Sequence, residues 1–128
     1  MAVAFHPIRI KRAYEPATRA DGLRILVDRL WPRGLRKEEA RFDQWRKDVA
    51  PSMDLRQFYG HRPERFAELK KRYRAELRTK EAAAALDEVL GIAQRRPVTL
   101  VTATRDLPSS GAAVPAEHLG AVVAKRER

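Results

Sequence analysis

The sequence predicts a small α/β domain, three layers deep, with a short mostly parallel sheet and a helical insertion between its second and third strands. Three observations carry that prediction. Strand-like runs fall at residues 7–12, 23–28 and 98–104. About seventy residues of mostly helical pattern separate the second run from the third, as in crossover-linked parallel strands. A chain of 128 residues, 44% of them apolar, can close one core but not two, so residues 1–128 read as a single domain. A four-helix bundle is the alternative, and the three strand patterns argue against it.

PIRIKR at 7–12 alternates apolar and basic side chains, which places Ile8 and Ile10 inward and leaves the other face wet, as near a sheet edge. Residues 13–22 collect Pro, Thr, Asp and Gly and end on the Asp21-Gly22 turn signal, so a loop returns the chain. LRILVD at 23–28 holds the run Ile25-Leu26-Val27, suited to burial on both faces of a sheet. Pro32 and Gly34 forbid a continuing strand, and an irregular loop follows. Phe42, Trp45 and Val49 fall at i, i+3 and i+7 and predict the seam of a short helix stopped before Pro51. Ser52 can N-cap the next helix, with Asp54 in its first turn and Gly60 ending it.

From Pro63 to Thr79, Phe66, Leu69, Tyr73 and Leu77 share a narrow arc at helical spacing, so one face of this helix is core. A further helix runs from about Glu81 to Ala93 and stops at Arg95-Arg96-Pro97. VTLVTAT at 98–104 is rich in β-branched residues and reads as the central strand of a parallel sheet. After the loop RDLPSSGAAVP, Pro115 to about Lys125 makes a final helix with Leu119, Val122 and Val123 as its apolar side, and the end KRER frays.

Composition excludes several classes. With no Cys, thiol catalysis, Cys-zinc sites and a disulfide framework are ruled out. No apolar run approaches the roughly 20 residues that cross a bilayer, and the start MAVAFHPIRI lacks the pattern of a secretory signal. The expectation is a cytoplasmic protein without membrane partners. His6, His61 and His118 have no metal-ligand spacing, and GxGxxG, P-loop and GxSxG motifs are missing, so no metal is expected and no cofactor is named. The net charge of +10 suggests an anionic partner, yet 20 of the 27 basic residues are Arg spread through the chain, which a solvated surface also explains.

Ligands of open parallel sheets bind beyond the carboxyl ends of the strands. Two such ends carry an acid beside a guanidinium: Asp28-Arg29, leading into Leu30-Trp31-Pro32-Arg33-Gly34, and Arg105-Asp106. Such pairs can form an anion clamp next to a proton acceptor, or structural salt bridges that tie the loops down. Arg29 and Arg33 are the candidate clamp, and Asp28 or Asp48 the candidate base, with Asp106 as a further acid. Trp31 and Trp45 offer stacking surfaces or core, and His61, at a helix junction, offers acid-base or capping chemistry. The competing reading is a non-catalytic nucleic-acid binder that uses the helix of residues 63–80; residues 62–80 hold eight basic side chains against three acidic ones.

Four ordered motifs, VDRLWPRG (Val27 to Gly34), WRKDVAPS (Trp45 to Ser52), LRQFYGH (Leu55 to His61) and RYRAEL (Arg72 to Leu77), resemble the YeaO-like members of the domain of unknown function 488 family. The resemblance spans Ile8 to Leu119 and implies a compact bacterial or archaeal α/β protein of unassigned activity. Its pattern favours Asp28, Arg29, Trp31, Pro32, Arg33, Gly34, Trp45, Lys47, Asp48, Pro51, Ser52, Leu55, His61, Arg72, Tyr73 and Glu76, all kept here. Arg29, Trp31, Arg33, Trp45, Lys47, His61, Arg72 and Arg105 make up the candidate ligand-binding set. After the last strand the pattern usually reads something like YAARDEEHNHAVVL; this chain has TATRDLPSSGAAVP, with Ser109 and Ser110 where a His-Asn pair is common.

Overall fold

The computed structural model describes residues 4–127. Among those residues four strands, β1 (Ile8–Arg12), β2 (Leu23–Leu26), β3 (Gln44–Trp45) and β4 (Val98–Thr102), form one sheet in the order β1-β4-β2-β3. Every neighbouring pair is parallel. β4 is the centre, as its β-branched composition predicts: Val98 stands opposite Ile8 on one side and Leu23 on the other. The α-helices are α1 (Met53–Tyr59), α2 (Phe66–Leu77), α3 (Lys80–Ala93) and α4 (Ala113–Arg126).

Side chains alternate across a strand, and the two faces of this sheet are covered differently. Ile25, Val27, Val98 and Leu100, with Ile8, Ile10 and Leu23, join the main core, which takes Leu55 from α1, Leu69, Tyr73 and Leu77 from α2, Leu86 and Leu90 from α3 and Leu119 from α4. All four helices therefore lie against one face. The opposite face is covered by irregular chain. Leu26 and Val101 meet Ala13, Phe42 and Trp45 in a second small cluster. Beside it, a 3-10 turn at Arg19–Asp21 lays the Asp21 carboxylate over Arg24, which is only 2% exposed. Arg24 Nη1 donates to Asp21 at 2.7 Å and Lys11 Nζ at 3.0 Å, while the Thr18 hydroxyl and N–H donate at 2.8 and 3.1 Å. Gly22 follows at φ 63°, and a Cβ there would stand 1.9 Å from the Pro97 carbonyl oxygen, so the turn into β2 requires glycine.

Local sequence explains the helix ends. The Ser52 hydroxyl accepts from the Leu55 N–H at 3.1 Å, an N-cap for α1, and Gly60 closes that helix in the left-handed conformation. Pro63–Arg65 form a 3-10 turn that leads into α2. Lys125 and Arg126 continue α4 as helix where fraying is expected, and Arg128 lies outside the described residues.

The segment 42–49 differs from the helix its spacing predicts. Gln44 and Trp45 pair with Ile25 and Leu26 as an edge strand, and Lys47–Val49 make a 3-10 turn. Phe42 and Trp45 pack with the cluster on one sheet face while Val49 belongs to the core on the other, so no single helical stripe can hold all three. The apolar spacing is helical only by coincidence.

Candidate functional site

Because the strands are parallel, their carboxyl ends share one edge of the sheet, and Asp28, Arg29, Lys47, Asp48, Arg105 and Asp106 all follow those ends. Asp28 is the pivot. Its carboxylate accepts from the Thr102 hydroxyl at 2.7 Å and from the Ala103 N–H at 2.8 Å, which fastens the end of β2 to the end of β4. Its carbonyl accepts from Trp45 Nε1 at 2.8 Å, which ties in the end of β3. Burial pushes the Asp28 carboxyl above its ordinary pKa, against the Ala103 and Thr102 hydrogen bonds and the nearby Arg56 guanidinium and His61 imidazole. His61 reaches this neighbourhood through a left-handed residue, φ 56°, directly after Gly60.

Arg29 points its Nε at the Pro51 carbonyl, 3.1 Å, and its Nη2 at that of Ala50, 3.5 Å. It lines a cavity of about 280 Å³ together with Asp48, Ser52, Glu76, Thr79 and Glu81. Across that cavity Glu76 accepts from the Ser52 N–H at 2.8 Å and from the Ser52 hydroxyl at 2.6 Å. The Tyr73 hydroxyl donates to the Val49 carbonyl below, and burial raises its pKa well above the ordinary phenol value. Asp48 and Lys47 are exposed, and the Lys47 ammonium sits 4.2 Å from the centre of the Trp45 ring.

The loop after β2 crosses the edge. Trp31 Nε1 donates to the Leu35 carbonyl at 2.6 Å, and the Trp31 ring makes T-shaped contacts with Phe42 and Trp45 at centroid distances of 5.3 and 5.6 Å. The Tyr14 hydroxyl donates to the Arg33 carbonyl at 2.7 Å, leaving the Arg33 guanidinium exposed. Arg105 and Asp106 are exposed beyond β4, where the negative charge of Asp106 reaches Tyr59. Ser109 and Ser110 hold this loop: the Ser109 carbonyl accepts from the Tyr59 hydroxyl, and Ser110 Oγ donates to the Leu107 carbonyl at 2.7 Å.

The structure thus brings Asp28, Trp31, Trp45 and Lys47 into one connected group, with His61 in electrostatic reach, and sets Arg29 and Asp48 on one cavity. Arg72 lies apart, on α2, with Nε 2.8 Å from Glu68 and its guanidinium 4.3 Å from the Phe58 ring centre. Neither Asp-Arg pair is an ion pair, and among the described residues Arg29, Arg33, Lys47, Arg56 and Arg105 have no carboxylate partner. Three residues outside the predicted site belong to this region: Arg56, Ser52 and Glu76. The last two stand in the family pattern, but no local spacing announces that they meet.

The helix of residues 63–80 is different. Lys70 and Arg74 both pair with Glu117, at 2.8 and 2.5 Å, and their hydrogen bonds hold that carboxyl below its ordinary pKa. Arg65 Nη1 donates to the Phe58 carbonyl, and Arg72 is taken by Glu68.

These features define a parallel α/β domain with a cation-bearing carboxyl edge, fastened from within by an acidic strut. A family model described as the inactive DUF488-N3 subclade matches residues 7–128, and the chain belongs to this family. It is 49% identical to the uncharacterized protein Rv3073c of Mycobacterium tuberculosis over 112 residues, which cover 88% of this chain and 92% of the relative. It is 38% identical to the uncharacterized protein YeaO of Escherichia coli over 112 residues, 88% of this chain and 96% of that protein. No solved structure matches. Among the described residues no helix is long and apolar enough to cross a membrane, and no three acidic or histidine side chains gather as a metal site.

Proposed function

We propose that residues 1–128 act as one cytoplasmic domain that binds a small anionic ligand, phosphorylated or nucleotide-like, at the carboxyl edge of the sheet without turning it over. One observation carries this reading. Among the described residues the edge keeps Arg29, Arg33, Lys47, Arg56 and Arg105 without carboxylate partners, while its central acid, Asp28, already accepts two hydrogen bonds. Unpaired guanidinium groups suit bidentate capture of phosphate or carboxylate. A carboxylate whose two oxygens hold neighbouring strands together serves as a strut rather than a free base. Asp48 and Asp106 are exposed, and among the described residues neither carboxylate has a hydrogen-bonded or ion-pair partner to orient it as a base. The family's description as inactive supports binding over turnover.

The nucleic-acid reading draws less support. Lys70, Arg72 and Arg74, the middle of the basic helix, are engaged by Glu68 and Glu117, so much of its charge is answered within the protein.

A thermal-shift panel of inorganic phosphate, sugar phosphates, nucleotides and short oligonucleotides, each at low and high salt, tests the choice. A ligand at a hundred times its dissociation constant adds about 2.7 kcal/mol to stability. The expected result is a selective shift from a small phosphorylated compound that survives high salt, is lost in Arg105→Gln or Lys47→Gln, and is accompanied by no product. Shifts from oligonucleotides alone that vanish in high salt would instead assign the working surface to residues 63–80.

A further inference from the structure

We infer that the ligand of this edge is a free nucleotide whose base stacks on Trp31 while its phosphate meets the neighbouring unpaired cations; the inference rests on the anion-binding reading above. Three of the large apolar side chains left exposed meet at one loop. Leu30 and Trp31 are consecutive, and Tyr14 is joined to that loop through the Arg33 carbonyl. Trp31 retains 36% of its surface exposed, yet it is fixed. Its indole N–H donates to the Leu35 carbonyl, and its ring packs against those of Phe42 and Trp45 at interplanar angles of 62° and 67°. With the N–H taken, what this side chain offers a ligand is the apolar ring face. Base stacking uses such a face and asks for no particular hydrogen bond.

The charge beside it selects the rest of the ligand. The Lys47 ammonium lies 4.2 Å from the Trp45 ring, and the Trp45 ring lies 5.6 Å from that of Trp31. Lys47 thus stands one aromatic ring away from Trp31, near enough for the phosphate of a nucleotide whose base is stacked there. Arg33, two residues beyond Trp31, is exposed and has no carboxylate partner among the described residues, so a cation stands further along the same loop. An apolar partner would leave these cations unanswered, and a plain anion would leave the indole face unused.

The test compares a nucleoside 5′-monophosphate, ribose 5-phosphate and inorganic phosphate by calorimetry and by indole fluorescence. The nucleotide is expected to bind about ten- to a hundredfold more tightly than ribose 5-phosphate, the range that loss of one stacking partner produces, and to quench the fluorescence. Trp31→Leu should remove both the difference and the quenching while leaving ribose 5-phosphate affinity unchanged; Trp31→Phe, which keeps an aromatic ring, should retain part of the difference. Equal binding of nucleotide and ribose 5-phosphate by the unaltered protein would overturn the stacking inference and leave anion binding standing. No binding of any of the three would overturn both. Affinity that grows with oligonucleotide length and falls steeply with salt would overturn a free-nucleotide site. The comparison among ligands uses the unaltered protein, so it decides the matter even where a variant fails to fold.

Discussion

Replacing Asp21 by Asn should cost this protein a large share of its stability. Among the described residues the Asp21 carboxylate is the only acid paired with the guanidinium of Arg24, which is 2% exposed on the irregular face of the sheet. Arg24 has two further acceptors, the carbonyls of Glu15 and Pro16, and its Nε is buried without any. Neutralising Asp21 would strand a buried cation and weaken the hold on Lys11 and Thr18. Breaking a buried pair from one side typically costs 3–5 kcal/mol, roughly. At about 2.1 cal/mol/K of unfolding entropy per residue, that loss lowers the melting temperature by roughly 11–18 °C for a chain of this length.

The pH dependence sharpens the test. Burial raises the Asp21 pKa, but the hydrogen bonds from Arg24, Thr18 and Lys11 outweigh it and hold the carboxyl far below its ordinary value of 3.8. The native state then binds fewer protons than the unfolded chain across that window, so stability rises with pH through it. The contribution is complete above the ordinary carboxylate range and declines as pH falls below it. Denaturant unfolding of both proteins at pH 7 and near pH 3 should show a wide gap that narrows with acid. A gap under about 1 kcal/mol at pH 7, or one equally wide at both pH values, would refute the reasoning.

Two further predictions concern other parts of the fold. Gly22→Ala should lose more than about 2 kcal/mol in urea unfolding, since the turn needs a positive φ and the new methyl would meet the Pro97 carbonyl. Asp28 carries the opposite pH sign to Asp21: its native pKa is raised, so its stabilising contribution is complete below the ordinary carboxylate value and is lost as pH rises through the native one. Asp28→Asn should remove that slope from the stability profile.

The sheet was legible wherever short-range pattern decides the conformation. Ile8 and Ile10 alternate with basic residues, Val98 to Thr102 is β-branched, and Ser52 and Gly60 mark both ends of α1 through local capping chemistry. Trp45 misleads because a spacing of three and four residues suits a helix, although its neighbours Phe42 and Val49 serve opposite faces of the sheet. The location of the candidate site followed from parallel topology, but its partnerships did not. Thr102 meets Asp28 across 74 residues, Glu76 meets Ser52 across 24, and Glu117 meets Arg74 across 43. Such pairings depend on how the core brings distant segments together, and no local periodicity encodes that. For the same reason the basic helix reads as free charge in the sequence, whereas in the fold Lys70, Arg72 and Arg74 are paired with Glu68 and Glu117.

The order β1-β4-β2-β3 also governs how the chain can be assembled. β1 and β2 are made first, but neither touches the other in the sheet; β4, encoded some seventy residues after β2, separates them and supplies hydrogen bonds to both. Until Val98 to Thr102 leaves the ribosome, β1 has no neighbour and β2 can pair only with the two-residue β3. The helices of the insertion emerge before the surface they must cover exists. Synthesis therefore passes through a long interval in which apolar helix faces and unpaired strands are exposed together, and the last quarter of the chain closes the sheet.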